Sequence, residues 1–311
     1  MSKTAFLFPG QGSQFVGMGR DFHEAHAWAR DIFRLADEIT GKPITRLCLE
    51  GPMEALTETA NLQPALTAVN LIVLRALTEK GLQPDMAAGH SVGEYSALAA
   101  AGVISPDTAL RLVSARADLM QRDADRRPGT MQAIVGPEAA RVEAVVAEVA
   151  RQGGVVAVAN YNSPQQAVIT GEAKTVALAA EKLAAEGARA VPLAVSGAWH
   201  SALLAEAGQD FARVIEQTGF NAPTCGLYLN VTGRLERDPA KIKEAMSRQM
   251  TSPVRWYALI EAMLAEGAEK FMELGPGKVL AGLNRKIVPK GREAKTVNVQ
   301  SLAELEKALA G

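Results

Sequence analysis

The sequence predicts an α/β protein. A large domain carries a mostly parallel sheet, and a small βαββαβ subdomain of ferredoxin-like order is inserted into it. Three observations predict this. Short apolar runs that read as buried strands alternate with longer amphipathic runs towards both ends of the 311-residue chain, the pattern of parallel strands joined by helices. The stretch 127–195 has its own rhythm of strand, helix, two strands, helix and strand. Gly89-His90-Ser91-Val92-Gly93 is a Gly-x-Ser-x-Gly sequence placed where a predicted strand hands over to a helix. The expected limits are 1–126 with 196–311 for the large domain and 127–195 for the small one.

Composition narrows the function. Lys plus Arg number 33 against 34 Asp plus Glu, a net charge of −1, which argues against nucleic acid as the main partner. No apolar run reads as a membrane span and no signal-peptide pattern precedes the first strand, so a cytoplasmic protein without a membrane partner is expected. Two cysteines, Cys48 and Cys225, are too few for a disulfide framework or a zinc site.

The first strand is Lys3 to Phe8, followed by Pro9-Gly10-Gln11-Gly12-Ser13-Gln14. The glycine spacing fails the dinucleotide fingerprint, because Phe15 stands where the third glycine belongs, and no P-loop Lys follows. Two uses remain: an ordinary connection, or a loop whose Gln11 N–H joins the Val92 N–H in an oxyanion hole. His23 and His26 fall in a polar run, Arg20 to Arg30, that reads as one exposed helix. Gln63-Pro64 reads as the start of a helix reaching Glu79. A strand over Asp85–Ala88 then runs into the serine turn. There Gly89 and Gly93 would leave room for close backbone approach, and an Ala-rich helix follows. This context would place the Ser91 hydroxyl at the tip of the turn, beside helix N–H groups able to stabilise an oxyanion.

Ser105-Pro106-Asp107 is a helix start, and the helix runs to about Arg122. At about 100° per residue, Ala109, Leu112, Val113, Ala117, Leu119 and Met120 share an apolar face, and Arg116 falls in its middle. A guanidinium aimed at a core needs an anion: either a buried Asp or Glu of the protein, or the carboxylate of a substrate. In the inserted unit, Asn160-Tyr161-Asn162-Ser163-Pro164 reads as the hairpin between the middle strands, with no catalytic role expected.

Ser196-Gly197-Ala198-Trp199-His200-Ser201 follows the insert. With His23 and His26 read as exposed and His90 diverging from its neighbour, His200 is left as the general base. It precedes a predicted helix from Ser201 to about Glu216, whose positive end would keep the ring neutral. Asp238-Pro239 begins a further helix, Pro253 another, and Glu269–Leu274 a strand. No acid is evidently placed to complete a Ser-His-Asp triad.

Taken together, these residues resemble a known family. Phe8-Pro9-Gly10-Gln11-Gly12-Ser13-Gln14, Gly89-His90-Ser91-Val92-Gly93-Glu94, Arg116, Asn162-Ser163-Pro164, Gly197-Ala198-Trp199-His200-Ser201, Gln249 with Ser252-Pro253-Val254, and Glu273-Leu274-Gly275-Pro276-Gly277 span nearly the whole chain. In this order and spacing they are similar to the malonyl-CoA:acyl carrier protein transacylases of type II fatty acid synthesis. They also resemble the acyltransferase domains of polyketide synthases.

The resemblance implies an α/β-hydrolase-like core, Ser91 as the acylated nucleophile and His200 as its base. It implies Gln11 and Val92 as oxyanion-hole amides and Arg116 as the clamp on a malonyl carboxylate. Gln249 would orient His200 through its backbone carbonyl, so that replacing it by Ala should be mild. Trp199 stands where malonyl-selective members often carry Phe, and would wall the acyl pocket. The implied partners are malonyl-CoA and acyl carrier protein; Lys278–Lys295 (including Arg285, Lys286, Lys290 and Arg292) is either a docking surface for an acidic carrier protein or merely a solvated basic face. No cofactor or metal is implied, and a monomer is expected. Rival expectations are a serine esterase or thioesterase, and an inactive module that binds the carrier protein.

Overall fold

The computed structural model describes residues 3–310. Among these described residues ten strands form two sheets. The first four are β1 (Lys3–Phe8), β2 (Met86–Gly89), β3 (Thr130–Val135) and β4 (Val156–Ser163). β5 (Gln166–Gly171), β6 (Arg189–Pro192), β7 (Gly226–Leu229) and β8 (Arg234–Glu236) follow, then β9 (Ala268–Leu274) and β10 (Lys295–Val299). The larger sheet has the order β10-β9-β1-β2-β7-β8. All its pairings are parallel except the β7–β8 hairpin at one edge. The smaller sheet, β4-β5-β3-β6, is antiparallel throughout. The protein is therefore α/β with a mostly parallel main sheet, as its sequence predicts.

The apolar runs explain the layers. On β1, Phe6 and Phe8 face one core with Ala87 and Met272, while Ala5 and Leu7 face another with Met86 and Phe271. Side chains alternate across a strand, so a sheet covered on both faces needs apolar residues at every position. The first core is closed by helices including Thr59–Glu79, Gly93–Ala100 and Pro106–Arg126; the second by Trp256–Ala265 and Val279–Ile287. The small sheet buries Ile134, Val158 and Ile169 against its own two helices and turns Met131, Ala133 and Val168 towards the first core. Its β4 also joins the segment before Trp256, where Tyr161 N donates to Val254 O (2.9 Å) and Val254 N to Ala159 O (2.8 Å).

Several expectations are corrected. The Pro64 helix begins at Thr59, so the proline lies inside it. Proline removes the N–H that would bond Ala60 O, and Lys42 Nζ donates to that carbonyl instead (3.3 Å). This helix is also long and apolar enough to cross a membrane by length and composition, with 89 % of the relevant window buried in the protein. The Arg20–Arg30 run is two helices broken at His26, which has an extended φ of −128°. His23 and His26 are half-buried rather than exposed. β4 extends to Ser163, so Asn160 and Asn162 are strand residues and the turn is confined to Ser163–Gln166. The Pro253 helix starts at Trp256. The edge strands β8 and β10 were not anticipated: they are short and half-exposed, without a continuous apolar run.

Candidate active site

The candidate residues gather beyond the carboxyl ends of β1, β2 and β7, where parallel α/β sheets open a crevice. β1 leads into Gly10-Gln11, β2 into His90-Ser91, and β7 into Asn230. Ser91 has φ +51° and His200 φ +60°, the only two non-glycine residues with positive φ among those described. Such backbone costs about 1–3 kcal/mol per residue and persists only where its surroundings hold it. Asn230 holds Ser91: its Oδ1 accepts from Ser91 N (2.8 Å), and its Nδ2 donates to Gly89 O (2.7 Å). The flanking glycines are required by close approach. A Cβ on Gly89 would sit 2.0 Å from Gly93 C and O, and one on Gly93 would sit 2.1 Å from Phe8 O.

Ser91 Oγ lies 2.8 Å from His200 Nε2, though 109 positions separate them in the chain. His200 Nδ1 faces two carbonyls, Gln249 O at 3.1 Å and Ser252 O at 2.9 Å. Carbonyls only accept, so Nδ1 carries the proton and Nε2 is free to accept from the serine. The position that an acid would fill in a triad is occupied by main chain. His200 is almost fully buried and its pKa is pushed down to about 3, first by burial, then by the nearby Arg116 charge and His90. The helix-end argument for a neutral ring is thereby replaced: a single 3₁₀ turn, Ala202–Leu204, intervenes before the helix Ala205–Glu216, and burial is the main cause.

Arg116 is fully buried, as its place on the apolar face predicts. Its Nε donates to Gln249 Oε1 (3.1 Å), Nη1 to Gln63 Oε1 (2.6 Å) and Nη2 to Ser91 Oγ (3.2 Å). Among the described residues no carboxylate oxygen lies within 4.0 Å of it. The nearby acid is Glu94, also fully buried, its pKa raised to about 7 chiefly by desolvation. Glu94 accepts from Asn230 N (2.7 Å) and from Gln249 Nε2 (2.8 Å), and that same Nε2 donates to Ser91 O (2.9 Å). The Gln249 side chain thus stands between cation and acid, which corrects the expectation that only its backbone matters. A guanidinium keeps its proton in proteins even when burial lowers its pKa, as it does here, so a buried positive charge faces Ser91.

Among the described residues, the Gln11 and Val92 amides donate to no protein acceptor, whereas Ser91 N is bound to Asn230 and Gly12 N to Gln14 Oε1 (2.8 Å). A cavity of about 210 Å³ opens between the two sheets over Ser91 and His200, with Trp199, Asn160 and Asn162 in its wall. Trp199 is buried and its Nε1 has no partner. Asn162 Oδ1 accepts from His90 Nε2 (2.9 Å), committing that ring elsewhere than to Ser91. The sequence reading missed Gln63, Glu94, Asn160, Asn162 and Asn230. Glu94 carries a signal of its own, an acid inside a mostly apolar elbow helix, and Asn162 stands in one of the runs that carry the resemblance. Among the described residues no group of three His, Cys, Asp or Glu side chains is placed to hold a metal ion.

Comparison with known proteins agrees with this geometry. The model of the acyl transferase domain family matches residues 5–304. The malonyl CoA-acyl carrier protein transacylase of Bacillus subtilis is 42 % identical over 99 % of this chain and 97 % of its own. That of Escherichia coli K12 is 41 % identical over 93 % and 94 %. An acyl carrier protein S-malonyltransferase from Vibrio cholerae superposes with a TM-score of 0.92 at 43 % identity, covering 99 % of this chain and all of that one. A malonyl-transacylase solved with its type II polyketide synthase acyl carrier protein gives 0.94 at 39 % identity, covering 99 % of each. The chain belongs to the acyl transferase domain family, with malonyl CoA-acyl carrier protein transacylases as its relatives.

Proposed function

We propose that this enzyme moves a malonyl group from malonyl-CoA to the phosphopantetheine thiol of acyl carrier protein, through an ester on Ser91. The observation that carries the reading is a buried arginine 3.2 Å from the oxygen of a histidine-activated serine. The malonyl carboxylate lies only two carbon–carbon bonds from the thioester carbonyl carbon. A cation beside the attacking oxygen therefore reaches the carboxylate, and the two N–H groups of Arg116 not engaged above can donate to it.

His200 Nε2 takes the Ser91 proton as Oγ attacks the thioester carbonyl. The Gln11 and Val92 amides receive the oxyanion. The tetrahedral intermediate collapses, the C–S bond breaks, and CoA leaves with the proton from His200. The carrier-protein thiol then gives its proton to His200 and attacks the malonyl ester, and Ser91 leaves reprotonated, which makes the order ping-pong. The carboxylate also offsets the Arg116 charge that depresses His200, so the correct substrate strengthens its own base. Trp199 closes the acyl pocket, and Gln249 and Ser252 carbonyls orient the histidine.

The reading takes the protein as a cytoplasmic monomer that needs no cofactor, with 127–195 a small subdomain closing over the serine. Carrier protein is taken to dock along Lys278–Lys295. Leu280 and Leu283 of the helix Val279–Ile287 line the cavity, and Lys286 beside them bonds Gln166 Oε1 (3.0 Å). Lys278 pairs with Glu304 (3.4 Å), Lys286 with Gln166 and Arg292 with Leu264 O, while Arg285 Nε reaches Ala281 O only at 3.4 Å, which makes Arg285 and Lys290 the better contacts. Fatty acid synthesis is the proposed pathway; the polyketide relative makes that pathway the alternative. The test is transfer: with malonyl-CoA and phosphopantetheinylated carrier protein, malonyl-carrier thioester should accumulate as CoA is released. Release of free malonate instead would mean a hydrolase.

A further inference from the structure

A buried guanidinium in a folded protein is normally paired with a carboxylate. Arg116 is not, although a carboxylate is close by. Its three protein acceptors are all neutral: Gln249 Oε1, Gln63 Oε1 and Ser91 Oγ. Glu94 reaches the cation only through Gln249, whose amide gives its oxygen to Arg116 and its nitrogen to Glu94. Gln63, which accepts from Nη1, is fully buried. Its Nε2 contacts Gln11 Oε1 (3.3 Å) and Met120 Sδ (3.4 Å), so its oxygen is the atom turned towards the arginine.

We propose that Gln63 is a specificity-determining positioning residue: a neutral acceptor that aims the Arg116 fork at the acyl pocket while leaving its charge for the substrate carboxylate. The inference rests on the malonyl-transfer reading above. An amide and a carboxylate are nearly the same shape and both can accept from Nη1 at 2.6 Å. Only the carboxylate cancels the charge. Position 63 therefore sets the preference for an acidic over a neutral short acyl group without touching either. A glutamate there would form an internal ion pair and leave a substrate carboxylate without an unspent cation. The Gln11 amide, held otherwise only by a long contact to Thr59 Oγ1 (3.5 Å), can turn over to donate to the new carboxylate.

The test compares ester formation on Ser91 from malonyl-CoA and from acetyl-CoA, read by intact mass against time. Gln63→Glu should lower the malonyl-to-acetyl rate ratio by about a hundredfold, the size expected for a desolvated charge pair, with acetyl ester still forming. Gln63→Leu, which removes the hydrogen bond and loosens the aim of the fork but adds no charge, should lower both rates and lower the ratio by no more than about tenfold, the size of one lost hydrogen bond. Should Gln63→Glu fail to fold, Gln63→Asp makes the same charge change in a smaller side chain and is expected to lower the ratio likewise. An unchanged ratio in the folded acidic variant overturns the proposal, as does a ratio that collapses equally in Gln63→Leu. Failure of the wild-type protein to form any malonyl ester would sink the functional reading itself, and is seen in the same experiment before any variant is compared.

Discussion

Arg116 Nη2 lies 3.2 Å from Ser91 Oγ. The serine oxygen therefore accepts from a guanidinium while donating to His200 Nε2, 2.8 Å away. One atom joins the proposed nucleophile, its proposed base and the cation proposed to read the far end of the acyl chain.

Arg116→Ala should cut malonyl ester formation by about a hundredfold or more, because truncating one member of a buried charge pair typically costs about 2–5 kcal/mol. Acetyl ester formation should fall far less. Initial rates with the two acyl-CoAs check this, and equal losses would remove the clamp from the account.

Gln249→Ala should be severe rather than mild. The His200 contacts are to main-chain carbonyls and survive, but the buried Glu94 and Arg116 each lose a partner. A buried charge left short of hydrogen bonds costs about 2–4 kcal/mol. Urea unfolding measures this directly, and a change below about 0.5 kcal/mol would contradict the bridging role.

Asn230→Ala should leave the left-handed Ser91 backbone unbraced and free the Ser91 N–H. A drop of about 2 kcal/mol in stability and about tenfold in the acylation rate are expected. Wild-type kinetics at unchanged stability would show that the elbow holds itself.

Stability should depend on pH through His200. Its folded pKa of about 3 lies below the ordinary 6.5, so between these values the unfolded chain binds the extra proton. The contribution is complete above pH 6.5 and is lost as pH falls towards 3, at up to about 1.4 kcal/mol per pH unit. Glu94, raised to about 7, acts in the opposite sense but is common to both proteins in the comparison with His200→Gln. Unfolding free energies at pH 7 and pH 4.5 should show the variant losing about 2 kcal/mol less than wild type. Parallel losses would mean the histidine is not held neutral by burial.

The parts of the site that were legible in the sequence are those with a local cause. The glycines of the elbow are forced by contacts with Gly93 and Phe8 backbone, and Ser105 caps its helix by accepting from Thr108 N (3.1 Å). The period of that helix puts Arg116 in the core. What was missed is held by contacts between distant segments. Gln63 meets Arg116 across 53 positions and Asn230 meets Ser91 across 139, and neither residue type marks a site by itself. The run Asn160–Asn162 was misread because turn-forming residues stand inside a strand: Asn160 and Tyr161 are held by pairing with Val168 and Ala167 and by the Val254 contact, while Asn162 falls where that register shifts. The helix start at Thr59 was hidden by a proline whose missing bond is replaced by Lys42.

The most direct test of the central claim is the mass of the intact protein after brief exposure to malonyl-CoA, followed by peptide mapping. The account predicts one added malonyl group, on the peptide containing Ser91, that is lost on addition of phosphopantetheinylated carrier protein and absent from Ser91→Ala. An adduct that persists in Ser91→Ala, or carrier protein malonylated at full rate by that variant, would contradict it.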